Sequence, residues 1–263
     1  MSKTLAAFLA AILCCLSVSS TALAADRSVQ IAFPKNMNIV LGSQPDFKSE
    51  ISAVDDLGVP AKVFIDSSLV DQSVPGTYKT IYRAYGLNGG KSEKEGLVTV
   101  TKCDPEKAYA MIDDILGKIL KDGMTDKERA KAIFDYAKSC IKYKAGAEHA
   151  TSLDGAYFGL TKGTGDCYTS AALLEQFYTR AGITNIFVIR QPTKANDYEH
   201  NWVMIDIGGG WYHCDSTPTY KGVSGFTGFM FPESLAMKQP SANGATDRFS
   251  YDKTFYPTAE WAN

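Results

Sequence analysis

Between residues 27 and 102 the apolar positions fall in short runs of β-branched and aromatic residues: "VQIAF", "MNIVL", "AKVFID", "TYKTIYRAYG" and "GLVTVT". Turn-forming clusters such as "DDLG", "SVPG" and "LNGG" separate them. Runs of this length and spacing predict strands, and several strands within eighty residues predict a small all-β sandwich. At "CDPEKAYAMIDDILGKIL" the apolar period changes to that of a helix. Asp104 can cap that helix, Pro105 suits its first turn, and Glu106 favours its positive end. "TDKE", Thr125 to Glu128, is a capping box that opens a second helix, "RAKAIFDYAKSCIKY". The short "KDGMT" between the two predicts an antiparallel pair.

A third helix is expected from "GTGDC" to Ala181, with Gly182 just past its end. "NIFVIR", "HNWVMIDI" and "WYHCDST" then predict strands, the last two joined by the triple glycine 208–210 as a hairpin. From Pro218 to Asn263 no period is visible, and loops wrapping the core are expected. The resulting organisation is two domains, an all-β unit over 27–102 and an α+β unit over 103–263.

The first 24 residues change that picture. Lys3, the apolar run "LAAFLAAILCCL" and the small residues Ala22 to Ala24 form a cleavable secretory signal, too short to span a bilayer. Cys15 does not mark a lipoprotein, because bulky Ile12 and Leu13 precede it. No other apolar run reaches membrane-spanning length, so the product is expected to be secreted or associated with the cell surface. Removing 24 of the 263 residues leaves 239, with 26 basic side chains against 29 acidic ones. This near-balance has no basic cluster and argues against a nucleic-acid partner.

Four cysteines remain after the signal: Cys103, Cys140, Cys167 and Cys214. No CxxC pair suggests zinc, and no HExxH, EF-hand loop or phosphate loop is present, so neither metal nor organic cofactor is expected. An antiparallel helix pair sets Cys103 and Cys140 at one end. A disulfide there is expected to add about 4 kcal/mol, the alternative being two separate thiols. Cys167 stands between a glycine-rich turn and a helix, where unpaired N–H groups and the positive helix end favour a thiolate. The chain has three histidines. Of these, His200 shares a strand face with Trp202 and Met204, and the hairpin brings that face beside Asp215. A carboxylate beside an imidazole fixes its tautomer, as in a nucleophile–base–acid triad. His213 is the rival base and is taken as structural. Cys214 is expected to be buried, while His149 and Asp166 are expected to face solvent.

"VPGTYKTIYRAYGLNGG" with "GLVTVT" resembles bacterial Ig-like modules. "GTGDCYTSAALLEQFYTRAGI", "HNWVMIDIGGGWYHCDSTP" and "IKYKAG" resemble the transglutaminase-like superfamily, a papain-like cysteine fold. The shared pattern is a glycine-flanked Cys opening a helix, an HxW strand, then W-x-x-x-D-x-T, across roughly residues 104–220. His200 follows Cys167 by 33 residues. Papain proper separates the pair by more than a hundred, so the transglutaminase-like branch fits better. The resemblance implies an α+β domain with its nucleophile at a helix start against an antiparallel sheet, and a Cys167–His200–Asp215 triad. It also implies a cleft lined by Tyr143, with Trp202 and Asp166 as further candidates. The expected chemistry is attack on an amide through a thioester, resolved by water (peptidase or amidase) or by an amine (acyl transfer), with hydrolysis slightly favoured. The substrate would be a peptide or protein, with cell-wall peptides one candidate. The alternative is an inactive, surface-associated module that binds peptides or glycans.

Overall fold

The computed structural model describes residues 27–43, 45–87, 89–193, 198–218, 220–241 and 247–259. The expected signal segment lies outside them. Strands β1 (Val29–Ala32), β2 (Asn36–Val40), β3 (Ser52–Asp55), β4 (Lys62–Asp66), β5 (Gly76–Tyr85) and β6 (Lys91–Thr101) come first. They form a four-stranded sheet in the order β2-β6-β5-β4 and a ribbon of β1 with β3. β2 runs parallel to β6, and the β5–β6 hairpin is antiparallel from Gly76↔Val100 to Tyr85↔Lys91. Met37, Ile39, Val98 and Val100 make one buried cluster of this region; Val29, Ala53 and Ala84 make another.

Two differences from the sequence reading have local causes. β3 ends in the acidic pair that reads as a turn, yet it pairs with β1, and Asp55 Oδ1 then accepts from the N–H groups of Leu57 and Val59 to turn the chain. β6 starts well before its apolar run, because the hairpin carries polar residues 91–95 into register with β5.

Helices α1 (Pro105–Ile119) and α2 (Asp126–Cys140) open as their caps dictate. Asp104 accepts from the N–H groups of Glu106 and Lys107, and Thr125 and Glu128 complete a capping box. Helix α3 (Ser152–Lys162) has no counterpart in the sequence reading. Gly155 and Gly159 lower its helical propensity, but they permit close packing. A methyl group on Gly159 would stand 2.5 Å from the Thr169 side chain, and one on Gly155 3.0 Å from the Tyr168 ring. α3 therefore lies hard against α4 (Cys167–Arg180), the central helix of this region.

Ala171, Ala172, Leu173, Leu174, Phe177 and Tyr178 of α4 are all buried. Below α4 lies the antiparallel sheet β11-β10-β9, made from β9 (Thr184–Ile189), β10 (Asn201–Asp206) and β11 (Trp211–Cys214). Val203, Ile205 and Cys214 face the helices. Val188, Trp202 and Met204 face the other way, where Phe231, Phe249 and Tyr251 of the C-terminal segment and the one-turn helix α5 (Glu233–Ala236) cover them. The strand alternation is thus buried on both faces. Among the described residues no helix is long and apolar enough to cross a membrane.

Cys103 and Cys140 are not bridged; all four described cysteines are free. Ile112 of α1 and Ile133, Phe134 and Ala137 of α2 share one buried cluster with α4. Cys103 is drawn to α3, where its N–H donates to Asp154 Oδ1 at 2.7 Å and its thiol also meets that carboxylate. The Cys140 thiol donates to Ala137 O within its own helix. Thiol-specific labelling after unfolding without reductant should therefore modify both residues.

Asp154 is fully buried and holds the connection between β6 and α1. It accepts from the N–H groups of Lys102 and Cys103 and from the Thr151 hydroxyl. Asp154→Ala leaves these donors unpaired and should cost about 3 kcal/mol. Urea unfolding measures it, and a loss below about 1 kcal/mol would mean that water replaces the carboxylate there.

Candidate active site

The strand pairing of β7 (Lys142–Tyr143) with β8 (Thr164–Gly165) runs parallel and sets Tyr143 beside the turn into α4. α3 ends at Gly163 in the left-handed conformation (φ 64°), and two residues of β8 lead to Asp166. Asp166 is the N-cap of α4: its side chain accepts from the Thr169 N–H, and Cys167 is the first helical residue. The sulfur thus sits at a helix start, partly exposed, with its S–H directed at Glu199 O, 3.9 Å away.

His200 lies at the entry to β10 and is 2 % exposed. Its Nε2 is 3.1 Å from Asp215 Oδ2. Asp215 follows β11 and is 3 % exposed. Its Oδ1 accepts from both the N–H (3.0 Å) and the hydroxyl (2.6 Å) of Thr217, and its Oδ2 also accepts from Arg248 Nη2 at 2.9 Å. With Nε2 committed to the carboxylate, Nδ1 is the nitrogen left for the cleft that His200 lines. Cys167, His200, Tyr143, Thr217, Tyr220 and Arg248 all border one cleft of about 360 Å³.

Burial pulls the His200 imidazole below its ordinary value, with Asp215 opposing and Arg248 adding to the fall. Burial also pushes the Asp215 carboxyl up, but Arg248 and His200 outweigh it and hold that group far below the usual carboxylate range. The Cys167 thiol is pushed up, chiefly by burial; the Asn201 N–H draws it down, while Asp166 and Asp215 add to the rise. These influences oppose the thiolate expected from the helix start alone. Together the two directions favour an uncharged thiol and an uncharged imidazole at rest.

The transglutaminase-like superfamily profile matches residues 113–216, a span that takes in the thiol, the imidazole and the carboxylate. Residues 113–216 form a transglutaminase-like domain. Among solved structures, similarity extends to a candidate cysteine protease from Cytophaga hutchinsonii, with 23 % identity over 44 % of this chain and 38 % of that one (TM-score 0.34). The chain therefore spans less than two fifths of that protein's length. A structure described as a TGase shares 11 % identity over 89 % of this chain and 85 % of its own (TM-score 0.35). The periplasmic domain of TgpA from Pseudomonas aeruginosa shares 12 % over 74 % and 90 % (TM-score 0.33). No curated protein matches the chain in sequence.

Within the transglutaminase-like domain several expectations need correction. Trp202 is fully buried and does not border the cleft. Its indole N–H donates to His213 Nδ1, and its ring stacks on His200 at 5.7 Å, so it supports the imidazole from behind. Asp166 is 5 % exposed and faces neither solvent nor cleft, because capping α4 turns it inward. Its Oδ2 takes the Ala147 N–H and pairs with His149 Nε2 at 2.8 Å, so His149, whose ring stacks on Tyr168, is not a bystander. Tyr143 does border the cleft and is 45 % exposed. His213 is fully buried, with Nε2 on Glu233 and Nδ1 on Trp202, so neither nitrogen is left for the cleft. Cys214 is fully buried on the α4 side of the sheet.

Arg248, Tyr220 and Tyr198 also border the cleft, and no sequence motif points to them. They come from aperiodic segments where no spacing rule applies. Among the described residues no group of three or more His, Cys, Asp or Glu side chains could hold a metal ion.

The thiols of Cys103 and Cys214 are pushed up to about 12, and that of Cys140 to about 11, mainly by burial. Iodoacetamide should therefore label Cys167 first. Because that thiol also lies above its ordinary value, its thiolate fraction grows with pH, and its labelling rate should climb between about pH 6 and 9. A rate flat down to about pH 5 would reveal a preformed thiolate instead.

Proposed function

We propose that this chain is an exported, cysteine-dependent enzyme that opens amide bonds in peptide or protein substrates. One observation carries the reading: a buried imidazole–carboxylate pair, 3.1 Å apart, borders the same cleft as a thiol at the first residue of a helix. A module that only grips a ligand has no use for a base held in one tautomer; a nucleophile does.

In this mechanism Asp215 accepts the Nε2–H of His200, so Nδ1 carries the lone pair. As Cys167 Sγ attacks the substrate carbonyl carbon, His200 Nδ1 takes the thiol proton. The negative charge moves to the carbonyl oxygen, and the unpaired N–H groups at the α4 start are suited to receive it. Collapse of the adduct breaks the C–N bond, and His200 delivers the proton to the departing amine. The thioester left on Cys167 is then resolved by a second nucleophile whose proton returns through His200. Water is the reading we favour, since the thiol is partly exposed; an amine acceptor would give acyl transfer by the same steps. The N-terminal strands fit an Ig-like module that presents the enzyme outside the cell, and residues 1–24 fit a cleaved export signal.

Hydrolysis of a peptide library, read by mass spectrometry, tests the reading. Cys167→Ala should abolish turnover, and Asp215→Asn should lower kcat by roughly 1,000-fold or more through the wrong imidazole tautomer. Turnover that survives Cys167→Ala would refute the enzymatic reading, and a stable uncut peptide complex with the native protein would favour a binding module.

A further inference from the structure

Arg248 stands apart from the residues already assigned. It lies beyond the matched span 113–216, in the segment that returns across the outer face of the sheet. It is 8 % exposed, a costly position for a guanidinium, and its Nε has no hydrogen-bond partner among the described residues. Three contacts hold it: Nη2 on Asp215 Oδ2 at 2.9 Å, the guanidinium lying 3.6 Å over the Tyr220 ring, and the Phe249 ring at 5.6 Å. The oxygen it binds is the one that receives His200 Nε2. The opposite oxygen is fixed by Thr217. The carboxylate is thereby clamped from both ends, and only one direction is left for the imidazole.

We propose that Arg248 is a positioning residue for the reacting groups: stacked on Tyr220, it fixes Asp215 in the orientation that holds His200 Nε2–H and leaves Nδ1 for Cys167. The inference rests on the reading of Cys167, His200 and Asp215 given above. It also assigns the guanidinium a second effect. A positive charge next to the His200–Asp215 pair disfavours a second positive charge on the ring, so Arg248 adds to burial in holding the imidazole below its ordinary value.

Of the other charged groups around His200, Arg190 acts in the same direction as Arg248, after it in size. Arg190 donates its N–H to His200 O, but its own guanidinium is paired with Asp247 at 3.0 Å. Glu199 precedes the ring and carries the opposite sign, as Asp215 does. Cys167 borders the same cleft, with its S–H directed at Glu199 O. Among the described residues, Arg248 is the cation that donates to the carboxylate of the pair.

The test is an NMR titration of the His200 imidazole in the full-length protein, with the pH dependence of Cys167 alkylation by iodoacetamide as a second readout. Arg248→Gln should raise the His200 midpoint by roughly one pH unit and move the acidic limb of alkylation upward by the same amount. Arg248→Lys keeps the charge but cannot lie flat on Tyr220, so it should leave the midpoint near that of the native protein and slow alkylation on the order of ten-fold. An unmoved His200 midpoint in Arg248→Gln, even with a lower Tm and slower labelling, would overturn the proposal. If Arg248→Gln does not fold, native alkylation rates in Arg248→Lys overturn it. Neither measurement needs turnover, so loss of the enzymatic reading through Cys167→Ala is distinguishable from loss of this one.

Discussion

A carboxylate that is almost completely removed from water governs the arrangement around the cleft. Left alone, the ionised Asp215 would be far too costly to bury. It is tolerated because Thr217 caps one oxygen while His200 and Arg248 share the other. Those donors come from three separate stretches of chain: the loop after β11, the entry to β10 and the C-terminal segment. Satisfying one charge therefore fixes where three backbone segments meet. The imidazole inherits its orientation from that arrangement, and Trp202 stacked behind it removes its remaining freedom.

The helix that carries Cys167 is fixed by packing. α4 is buried along most of its length between α3 and the sheet, and the glycines of α3 let it approach closely enough to exclude water. At its start Asp166 does two jobs that a solvent-facing aspartate could not. It caps the helix, and through Ala147 and His149 it ties down the loop that follows Tyr143. One wall of the cleft and the start of the nucleophile helix are thus joined by a single side chain.

Much of this was legible in the chain because it follows short-range rules. The capping residues Asp104 and Thr125 open their helices, the triple glycine makes the β10–β11 turn, and strand alternation sets His200 next to Asp215. What escaped depended on contacts distant in sequence. α3 was hidden by glycines that weaken a helix locally and are repaid only by packing on α4. An isolated helix pair suggests a Cys103–Cys140 bridge, whereas Asp154, distant in sequence, holds Cys103, and the Cys140 thiol stays on its own helix. Asp166 reads as a solvated charge until the loop around His149 folds onto it. Arg248 sits in a stretch with no periodicity, and only the buried charge it meets explains it.

The outer face of the sheet has a consequence for how this protein is made. Val188, Trp202 and Met204 find their cover in Phe231, Phe249 and Tyr251, which a ribosome delivers after the strands they cover. Until those residues leave the exit tunnel, a broad greasy surface on the nascent chain has nothing to rest on, which is the condition under which growing polypeptides stick to one another or engage chaperones. Emergence of residues 231–251, rather than arrival of the nucleophile, is therefore the event that seals this face.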